Sequence, residues 1–323
     1  MRAIQVTELG GPEVLKLVEL PEPDPGPGEV LIRVAAAGIN FTDTLRRTGH
    51  RLTPPLPHVP GLEVAGTVAR IGPGVGEPVV GTRVLAWLPG GGYAEMCLAS
   101  TATVAPVPDA LSDQQAAALQ AQGLTAYHCL KTIGRLAPGE TVLVHAAAGG
   151  VGTQAIQQAR IMGAEQVIGT ASTDEKLALV RSLGATATIN YVAESFGERV
   201  KELTDGRGAD VILEAVGGSV FEESLQCLAP LGRLVIYGTS SGQRRQLDQD
   251  ALMQESRSVG GFYMTTIRAQ PQLLHASLNE LIGWAAGGQL QTVIGSVYPL
   301  GEAAAAHEQM EARQTTGKLL LVP

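Results

Sequence analysis

A run of small residues follows a strand-like segment in the stretch VLVHAAAGGVG, residues 142–152. Ala147, Gly149 and Gly152 occupy the three positions of a G-x-G-x-x-G pattern, with alanine in the first. Small residues let a backbone approach a pyrophosphate, and the N-terminus of the following helix supplies unpaired N–H groups and a positive dipole end. A tight strand-to-helix turn would use similar residues, so the context of the loop has to decide between the two interpretations.

Strand-like and helical segments alternate through the middle of the chain. The strand-like runs are TVLVHAA, QVIGTAS, TINY, DVILEAV and RLVIYG. Helical patterns separate them at residues 151–162, 174–183, 195–203 and 221–228. This alternation predicts a parallel sheet that helices cover on both faces. The small-residue loop opens the first helix of the series, so the context favours a dinucleotide site.

The segments on either side of this alternation have a different character. In the first hundred residues, turns such as PGPG and PGGG separate short β-like runs. Ser112 is predicted to cap a helical stretch that runs to residue 134. After residue 265 the pattern is mixed, with predicted helices at 271–286 and 302–312 and a closing strand, GKLLLVP. These shifts indicate domain boundaries.

The strand after the loop indicates which dinucleotide is bound. In NAD-specific sites an Asp or Glu at the end of this strand binds the ribose hydroxyls. Here the strand ends in Thr170, Ala171 and Ser172, whose small side chains leave room for a 2′-phosphate. Lys176 follows and would neutralise that phosphate, the alternative being a solvated surface lysine. Asp174 is expected to cap the next helix, the alternative being a contact with a ribose. We therefore predict NADPH over NADH.

Composition limits the partners and the compartment. The net charge is −8 and no basic run occurs, so nucleic acid is not an expected partner. No apolar run reaches the ~18 residues that span a bilayer, and the N-terminus lacks a secretory signal pattern. Cys97, Cys129 and Cys227 are too dispersed for a disulfide framework. We therefore expect a cytoplasmic protein that acts on small molecules.

Several motifs together resemble the zinc-free quinone oxidoreductases of the medium-chain dehydrogenase/reductase superfamily, the group that includes zeta-crystallin. The matching stretches cover essentially the whole chain: AAAGINFTDTLRRTG, PGLEVAGTVARIGPGV, GTRV, QGLTAYHCL, VLVHAAAGGVG, LGATATINY and TTGKLLLVP. The resemblance implies an α/β fold, with a doubly wound parallel Rossmann sheet and a GroES-like, β-rich catalytic domain. It implies a catalytic domain at 1–122, an NADP-binding domain at 123–265, and a segment at 266–323 that returns to the first. A homodimer is expected.

The same resemblance implies that zinc is absent. Zinc-dependent relatives bind the catalytic metal through a Cys, a His and a later Cys. In this chain the first two positions are Asn40 and Leu62, and residues 120–122 contain no Cys. Asparagine and leucine cannot supply the thiolate and imidazole that zinc needs. The structural zinc requires four clustered Cys, where this chain has Cys97 alone. No metal is expected.

The vacated metal position also indicates the catalytic residues. Asn40 lies there and is expected to donate a hydrogen bond to the acceptor or to the nicotinamide ribose, the alternative being a helix-start residue. Asp43 and Thr125 are expected to shape the site. Tyr191 is implied to contact the adenosine ribose or its phosphate, the alternative being a strand-end aromatic. The full set expected to bind NADPH is Ala148, Gly149, Gly150, Val151, Thr170, Ser172, Lys176, Tyr191, Val216, Gly238, Phe262 and Lys318.

Without a Lewis acid the oxidation of alcohols is disfavoured, whereas hydride transfer to an electrophilic acceptor remains feasible. The expected function is therefore the NADPH-dependent, zinc-independent reduction of quinones. Leu45 stands where several relatives have a tyrosine, so a 2-alkenal, enone or enoyl-thioester reductase is the alternative. A non-catalytic protein that binds the cofactor is the more distant one.

Overall fold

The computed structural model describes residues 1–50 and 53–323, and the chain divides into two compact units. The first unit contains residues 1–121, 268–287 and 292–323, and the second contains residues 122–267 and 288–291. The boundaries expected from the sequence, after residues 122 and 265, lie close to these limits. The short return of the chain to the second unit at 288–291 has no counterpart in the sequence pattern.

The early elements of the chain belong to the first unit, apart from α3, which runs from it into the second. Its strands are β1 (Arg2–Gln5), β2 (Lys16–Glu19), β3 (Glu29–Ile39), β4 (Glu63–Ile71), β5 (Arg83–Trp87), β6 (Met96–Ser100) and β7 (Val104–Pro106). Its helices are α1 (Phe41–Arg47), α2 (Asp113–Ala117) and α3 (Gln120–Tyr127). A π-helical stretch, His128–Ile133, continues α3. Ser112 caps α2 as predicted, because its hydroxyl accepts a hydrogen bond from the Gln115 N–H at 3.2 Å.

The remaining elements form most of the second unit and then complete the first. The strands are β8 (Thr141–Val144), β9 (Gln166–Ala171), β10 (Ala187–Asn190), β11 (Ala209–Glu214), β12 (Leu228–Ile236), β13 (Ser258–Gly261), β14 (Ile294–Pro299) and β15 (Lys318–Val322). The helices are α4 (Gly150–Ile161), α5 (Asp174–Ser182), α6 (Phe196–Leu203), α7 (Ser219–Gln226), α8 (Gln249–Met253), α9 (Met264–Arg268), α10 (Pro271–Ala286) and α11 (Ala303–Glu311).

The second unit is a six-stranded sheet in the order β10-β9-β8-β11-β12-β13, and every strand pair in it is parallel. Helices α4 to α8 connect successive strands, so the predicted α/β alternation is confirmed. β8 lies inside the sheet, and the chain proceeds outward from it first on one side and then on the other. Ligands of such sheets bind beyond the carboxyl ends of the strands, where the direction of winding changes.

The first unit is built on a mostly antiparallel sheet. Its described strands run in the order β14-β15-β3-β4-β5-β7, and β6 also pairs with β3. β3 is apolar along most of its length, as suits a strand covered on both faces, and Val30 and Ile32 lie in the core. Helix α1, which follows β3, was not predicted. Most helix limits differ from the predictions by one or two residues.

One predicted cap is wrong. Thr173, and not Asp174, caps α5, because the Thr173 hydroxyl accepts a hydrogen bond from the Lys176 N–H at 3.3 Å. Asp174 is the first residue of the helix, where its negative charge favours the positive end of the dipole. No helix among the residues that the structure describes is long and apolar enough to cross a membrane.

Candidate active site

The predicted cofactor residues of the second unit follow the carboxyl ends of its strands. Ala148, Gly149, Gly150 and Val151 follow β8; Ser172 and Lys176 follow β9; Tyr191 follows β10; Val216, Gly238 and Phe262 follow β11, β12 and β13. Because all six strands are parallel, these residues lie at one edge of the sheet. The fold thus brings together positions that are more than a hundred residues apart in the sequence.

The first turn of α4, which follows the turn after β8, has little room for side chains at two of its glycines. A Cβ added to Gly152 would lie 2.4 Å from the Ala146 carbonyl oxygen, and one added to Gly150 would lie 1.9 Å from Nε2 of Gln122. Gly149 caps α4 with an extended backbone, and a Cβ there would approach only the Ala146 carbonyl oxygen, at 3.2 Å. The backbone of the turn therefore accounts for Gly152, the Gln122 side chain accounts for Gly150, and Gly149 is left open to a ligand.

The first turn of α4 offers hydrogen-bond donors. The Thr153 N–H bonds the Gly149 carbonyl oxygen at 2.9 Å, so the N–H groups of Gly150, Val151 and Gly152 precede the first intrahelical bond. Such a group of donors at the positive end of a twelve-residue helix suits a phosphate. The residues present therefore fit the pyrophosphate of a dinucleotide.

The Thr170 hydroxyl is bonded inside the second unit, and the predicted contact of Thr170 with the cofactor stays a prediction. The Thr170 side chain is buried, and its Oγ1 lies 3.1 Å from Nδ1 of His145. The other ring nitrogen of His145 lies 2.9 Å from the Ser224 hydroxyl. Burial lowers the pKa of His145 to about 3, so the ring is neutral and links β8, β9 and α7.

The other predicted contacts in the second unit differ in their exposure. Ser172 and Lys176 are half-buried, and Tyr191 is 47% exposed at the end of β10. Phe262 is buried and stacks on His128, with ring centroids 6.0 Å apart. Their contacts with a cofactor remain predictions.

Two further predicted residues lie in the loops after β11 and β12. The Val216 N–H donates to Oε1 of Glu214 at 2.5 Å, and a Cβ on Gly238 would lie 3.2 Å from the Ala215 carbonyl oxygen. Their contacts with a cofactor also stay predictions.

A buried ion pair in the first unit surrounds the Asn40 amide. Lys318 is 0% exposed, and its ammonium donates to a carboxylate oxygen of Glu63 and, at 2.8 Å, to Oδ1 of Asn40. The Asn40 Nδ2 donates to the same Glu63 oxygen, Oε1, at 2.9 Å. The second oxygen of Glu63 accepts the Ala121 N–H at 2.7 Å. Both ends of the amide are therefore fixed in orientation by opposite charges.

Strand register explains how these residues meet. β15 pairs with β3 so that Leu319 lies opposite Ile39, which places Lys318 beside Asn40. Ala37 pairs with Val64, so Glu63 begins β4 at the same end of the sheet. Gly38 provides the space, since a Cβ there would lie 2.5 Å from Oε1 of Glu63.

The ammonium of Lys318 is fully buried and bonded within the first unit, and its predicted contact with the cofactor stays a prediction. Glu63 was not among the site residues predicted from the sequence. A signal was present, because Glu63 and Lys318 are opposite charges that each border a run of buried apolar residues, and buried charges are almost always paired.

Asp43 is also buried, next to Asn40. Its Oδ2 accepts the Asn40 backbone N–H at 2.9 Å and the Tyr93 hydroxyl at 3.1 Å, and Nε2 of His307 lies 3.2 Å from that hydroxyl. Burial, together with the Arg47 charge, lowers the pKa of His307 to about 3, so the ring is neutral. Because the tyrosine donates to the carboxylate, the histidine donates to the tyrosine. This chain of hydrogen bonds ends on the residue that caps α1.

Burial outweighs these bonds in setting the pKa of Asp43. Loss of solvation raises that pKa from 3.8 to about 6, although the Asn40 N–H, the Lys318 charge and the Tyr93 hydroxyl all oppose the rise. Thr125, the third predicted catalytic residue, is half-buried on α3 and belongs to the second unit. Asn40 and Asp43 are thus joined in one network, and the role expected of Thr125 stays a prediction.

Comparisons with known proteins place this site in a family. The profile described as zinc-binding dehydrogenase matches residues 150–280, and that of the alcohol dehydrogenase GroES-like domain matches residues 26–109. A quinone oxidoreductase of Pseudomonas aeruginosa is 40% identical, covering 100% of this chain and 99% of the relative. The chain belongs to the quinone oxidoreductase family of the medium-chain dehydrogenase/reductase superfamily.

Two further relatives show how the likeness extends. The crystal structure of Escherichia coli quinone oxidoreductase complexed with NADPH superposes with a TM-score of 0.94, at 37% identity and 100% coverage of both chains. A 2-haloacrylate reductase of a Burkholderia species is 37% identical, covering 99% of this chain and 98% of the relative. The Rossmann-like and GroES-like domains expected from the sequence are confirmed.

Zinc, which one of the matching profiles names, does not suit the donors of this oxidoreductase. At the expected metal position the Asn40 amide contacts the Lys318 ammonium, which is already a cation. Leu62 offers no donor atom. The Gln120 amide, in the orientation that satisfies both its ends, bonds the Ala86 carbonyl and the Trp87 N–H, each at 3.1 Å. Thiolate and imidazole ligands are what zinc prefers. This set of residues does not fit zinc.

Proposed function

We propose that the chain is a zinc-independent reductase that transfers hydride from NADPH to a quinone. The observation that carries the proposal is the fixed Asn40 amide. Its Nδ2 bears two hydrogens, of which Glu63 accepts one, and the side chain is only half-buried. The second N–H is therefore a preorganised donor for the acceptor oxygen, on which negative charge grows as hydride arrives.

The residues that would hold NADPH lie at the strand ends of the second unit. The N–H groups of Gly150 and Val151 suit the pyrophosphate, and Lys176 suits a 2′-phosphate. When bound, the cofactor supplies the hydride. Two solved family members, the E. coli enzyme among them, are described as NADPH complexes, which supports the choice of cofactor.

The buried charges support Asn40 in this role. The Lys318 ammonium polarises the amide through Oδ1, which makes the Nδ2 hydrogens better donors. Glu63 holds the plane of the amide, so its orientation costs nothing at the moment of reaction. A quinone becomes an anion on receiving hydride and is then protonated by water, so no general base is needed.

A second candidate is the reduction of an enone or a 2-alkenal. It is favoured by Leu45, which is half-buried and stands where several relatives have a tyrosine able to stack on a flat quinone. Enoyl thioesters would be reduced by the same transfer of hydride. The Burkholderia relative named for a haloacrylate shows that such names occur among close homologues.

The oxidation of NADPH with 1,4-benzoquinone and with 2-hexenal, measured in parallel, tests both candidates. Asn40→Ala should lower kcat/KM about 10²- to 10³-fold with the enal and less with the more electrophilic quinone. The matched control is Asn279→Ala, which removes an exposed amide on α10 of the first unit and should leave kcat/KM unchanged. Values of kcat/KM unchanged in Asn40→Ala would overturn the proposal. No NADPH oxidation with any acceptor would favour a non-catalytic protein.

We further propose that the protein is a cytoplasmic homodimer, by analogy with the small members of the family. Sedimentation velocity of the purified chain would give one species of twice the chain mass of 33.5 kDa.

A further inference from the structure

Two arginines of the first unit lie against the short segment 87–89 that ends β5. Nη1 of Arg46 donates to the Pro89 carbonyl oxygen at 3.0 Å. The guanidinium carbon of Arg268 lies 5.9 Å from the centre of the Trp87 ring, in a cation–π contact. One arginine comes from α1 and the other from the end of α9, so two distant parts of the chain place positive charge at one point.

Neither arginine has an acidic partner. Nε of both side chains and Nε1 of Trp87 are buried without a hydrogen-bond acceptor. Among residues 1–50 and 53–323 no Asp or Glu forms an ion pair with either guanidinium. Residues 51 and 52 are Arg and Leu, so they supply no carboxylate. The Asp43 carboxylate accepts its hydrogen bonds from Asn40 and Tyr93, and the Arg46 charge is the smallest of the influences named on its pKa.

Among the described residues, no ion-paired carboxylate offsets the charge of these two guanidiniums. Partial burial lowers the pKa of Arg268, and the neighbouring Arg46 charge lowers it further. Two like charges with unsatisfied donors are costly to hold together unless an anion joins them. Trp87 is 6% exposed, so the surroundings are sheltered and would strengthen such an interaction.

We infer that Arg46 and Arg268 bind a carboxylate group carried by the hydride acceptor. A planar guanidinium offers a carboxylate two parallel N–H bonds, which fits this ligand better than a point charge would. The position also fits, because Arg46 lies on the helix that Asn40 caps and Trp87 pairs in register with Glu63, the partner of Asn40. The inference rests on the proposed function and specifies its acceptor as a conjugated carboxylate.

The chemistry of such an acceptor explains why two cations are present. Hydride forms a bond to the β-carbon, the carbon–carbon π bond breaks, and its electron pair moves through the α-carbon onto the carboxylate oxygens. The group then carries two negative charges until water protonates the α-carbon, while the dihydronicotinamide is oxidised by two electrons. One guanidinium offsets the charge of the starting carboxylate, and the second stabilises the charge that develops.

A binding experiment tests the site without turnover. The chain has two tryptophans, so Trp284→Phe leaves the fluorescence of Trp87 as the only indole signal. We expect 2-chloropropionate, which cannot accept hydride, to change this signal saturably, and its methyl ester to leave it unchanged. In the same background Arg46→Leu or Arg268→Leu should raise the Kd about ten- to a hundredfold, and Arg46→Lys should raise it less.

Arg70→Leu is the matched control. It removes an exposed arginine of the same unit, one that pairs with Glu22 at 2.7 Å, and should leave the Kd unchanged. Circular dichroism of each variant verifies folding. A Kd that is the same in all arginine variants, or an equal response to acid and ester, would overturn the inference.

Kinetics then identifies the acceptor. NADPH oxidation is compared for 2-chloroacrylate against its methyl ester, and for a naphthoquinone carboxylate against naphthoquinone. Loss of kcat/KM about tenfold or more in Arg268→Leu for the acids alone supports the inference, and the better acid shows which acceptor carries the group. Equal losses for acids and neutral acceptors, or a raised Kd for NADPH alone, would overturn it. If the wild type reduces nothing while the Trp87 titration persists, the carboxylate site stands and the proposed function fails.

Discussion

Asn40 connects the backbone of the first unit to its chemistry. Its main chain begins α1 and donates to Asp43, while its side chain lies between Glu63 and Lys318. The two interpretations of this residue, a helix-start residue and a donor to the acceptor, are therefore compatible. Because the cap fixes the position of Cα and the ion pair fixes the amide plane, little freedom is left to the donor.

Variants of the Glu63–Lys318 pair should distinguish its contribution to stability from its contribution to activity. Lys318→Met leaves Glu63 buried without a cation, which should cost about 3–5 kcal/mol in the free energy of unfolding. The double variant Glu63→Gln with Lys318→Met removes both charges and should recover most of that loss. It should still lower kcat/KM about tenfold or more, because the amide of Asn40 loses its charged partners. Denaturant unfolding and kinetics on the same samples provide the measurement. Recovery of both quantities in the double variant would contradict a positioning role.

Asp43 gives the stability a recognisable dependence on pH. Its pKa is about 6 in the folded protein against an ordinary value of 3.8, so folding favours the protonated form. Its contribution to the free energy of unfolding is therefore present at low pH and is lost as pH rises from about 4 to about 6. The loss amounts to about 3 kcal/mol. Asp43→Asn does not titrate, so the stability of the wild type relative to this variant should fall over that window. A difference that is constant from pH 4 to pH 7 would contradict the burial described for the carboxyl.

At the scale of elements, the glycines at the start of α4 serve two purposes. Gly152 is needed for packing, and Gly149 is needed for a ligand. Gly152 faces the Ala146 carbonyl oxygen too closely for any side chain, whereas Gly149 has a backbone that alanine also adopts. The two positions are three residues apart in one loop, so they form a matched pair.

Alanine at these two positions should affect different quantities, namely stability at Gly152 and NADPH affinity at Gly149. Gly152→Ala should lower the free energy of unfolding by about 1–3 kcal/mol, through overpacking against backbone that cannot move aside. Gly149→Ala should change stability by less than about 1 kcal/mol and should raise the Kd for NADPH about tenfold, because the methyl group occupies the approach to the first turn of α4. Thermal unfolding and isothermal titration would measure the two effects. Unchanged NADPH affinity in Gly149→Ala would indicate that the pyrophosphate does not bind at this loop.

At the scale of the whole molecule, the sequence predicted the helices and strands better than it predicted which distant residues contact each other. The order of helices and strands in the second unit follows from periodicity, because each element is encoded in its own ten or so residues. The Glu63–Lys318 pair joins residues 255 positions apart, and the inward hydroxyl of Thr170 depends on His145, 25 positions away. Neither pairing leaves a trace in local periodicity. Helix α1 was missed for the opposite reason, because seven residues are too few to show a helical repeat.

The absence of suitable zinc ligands predicts insensitivity to chelators. Exhaustive dialysis against a chelator should leave kcat/KM for NADPH and quinone within about twofold, since no step of the proposed chemistry needs a Lewis acid. Elemental analysis of the purified chain should give well below one zinc per chain. Stoichiometric zinc that is lost together with activity would refute the assignment of Asn40 and Leu62. A chelated zinc-dependent alcohol dehydrogenase, which loses activity, is the control for the treatment.

The position of β15 has a consequence for protein synthesis. Residues 37–39 of β3 pair on one side with residues 319–321, and the ribosome makes these about 200 residues after the first 121. At about 5–20 residues per second, this end of β3 waits some tens of seconds for its neighbour. During that time the nascent chain exposes unpaired backbone and an apolar edge, which other chains can join. Chaperone capture should therefore concentrate on ribosomes that have translated the GroES-like domain but have not reached β15.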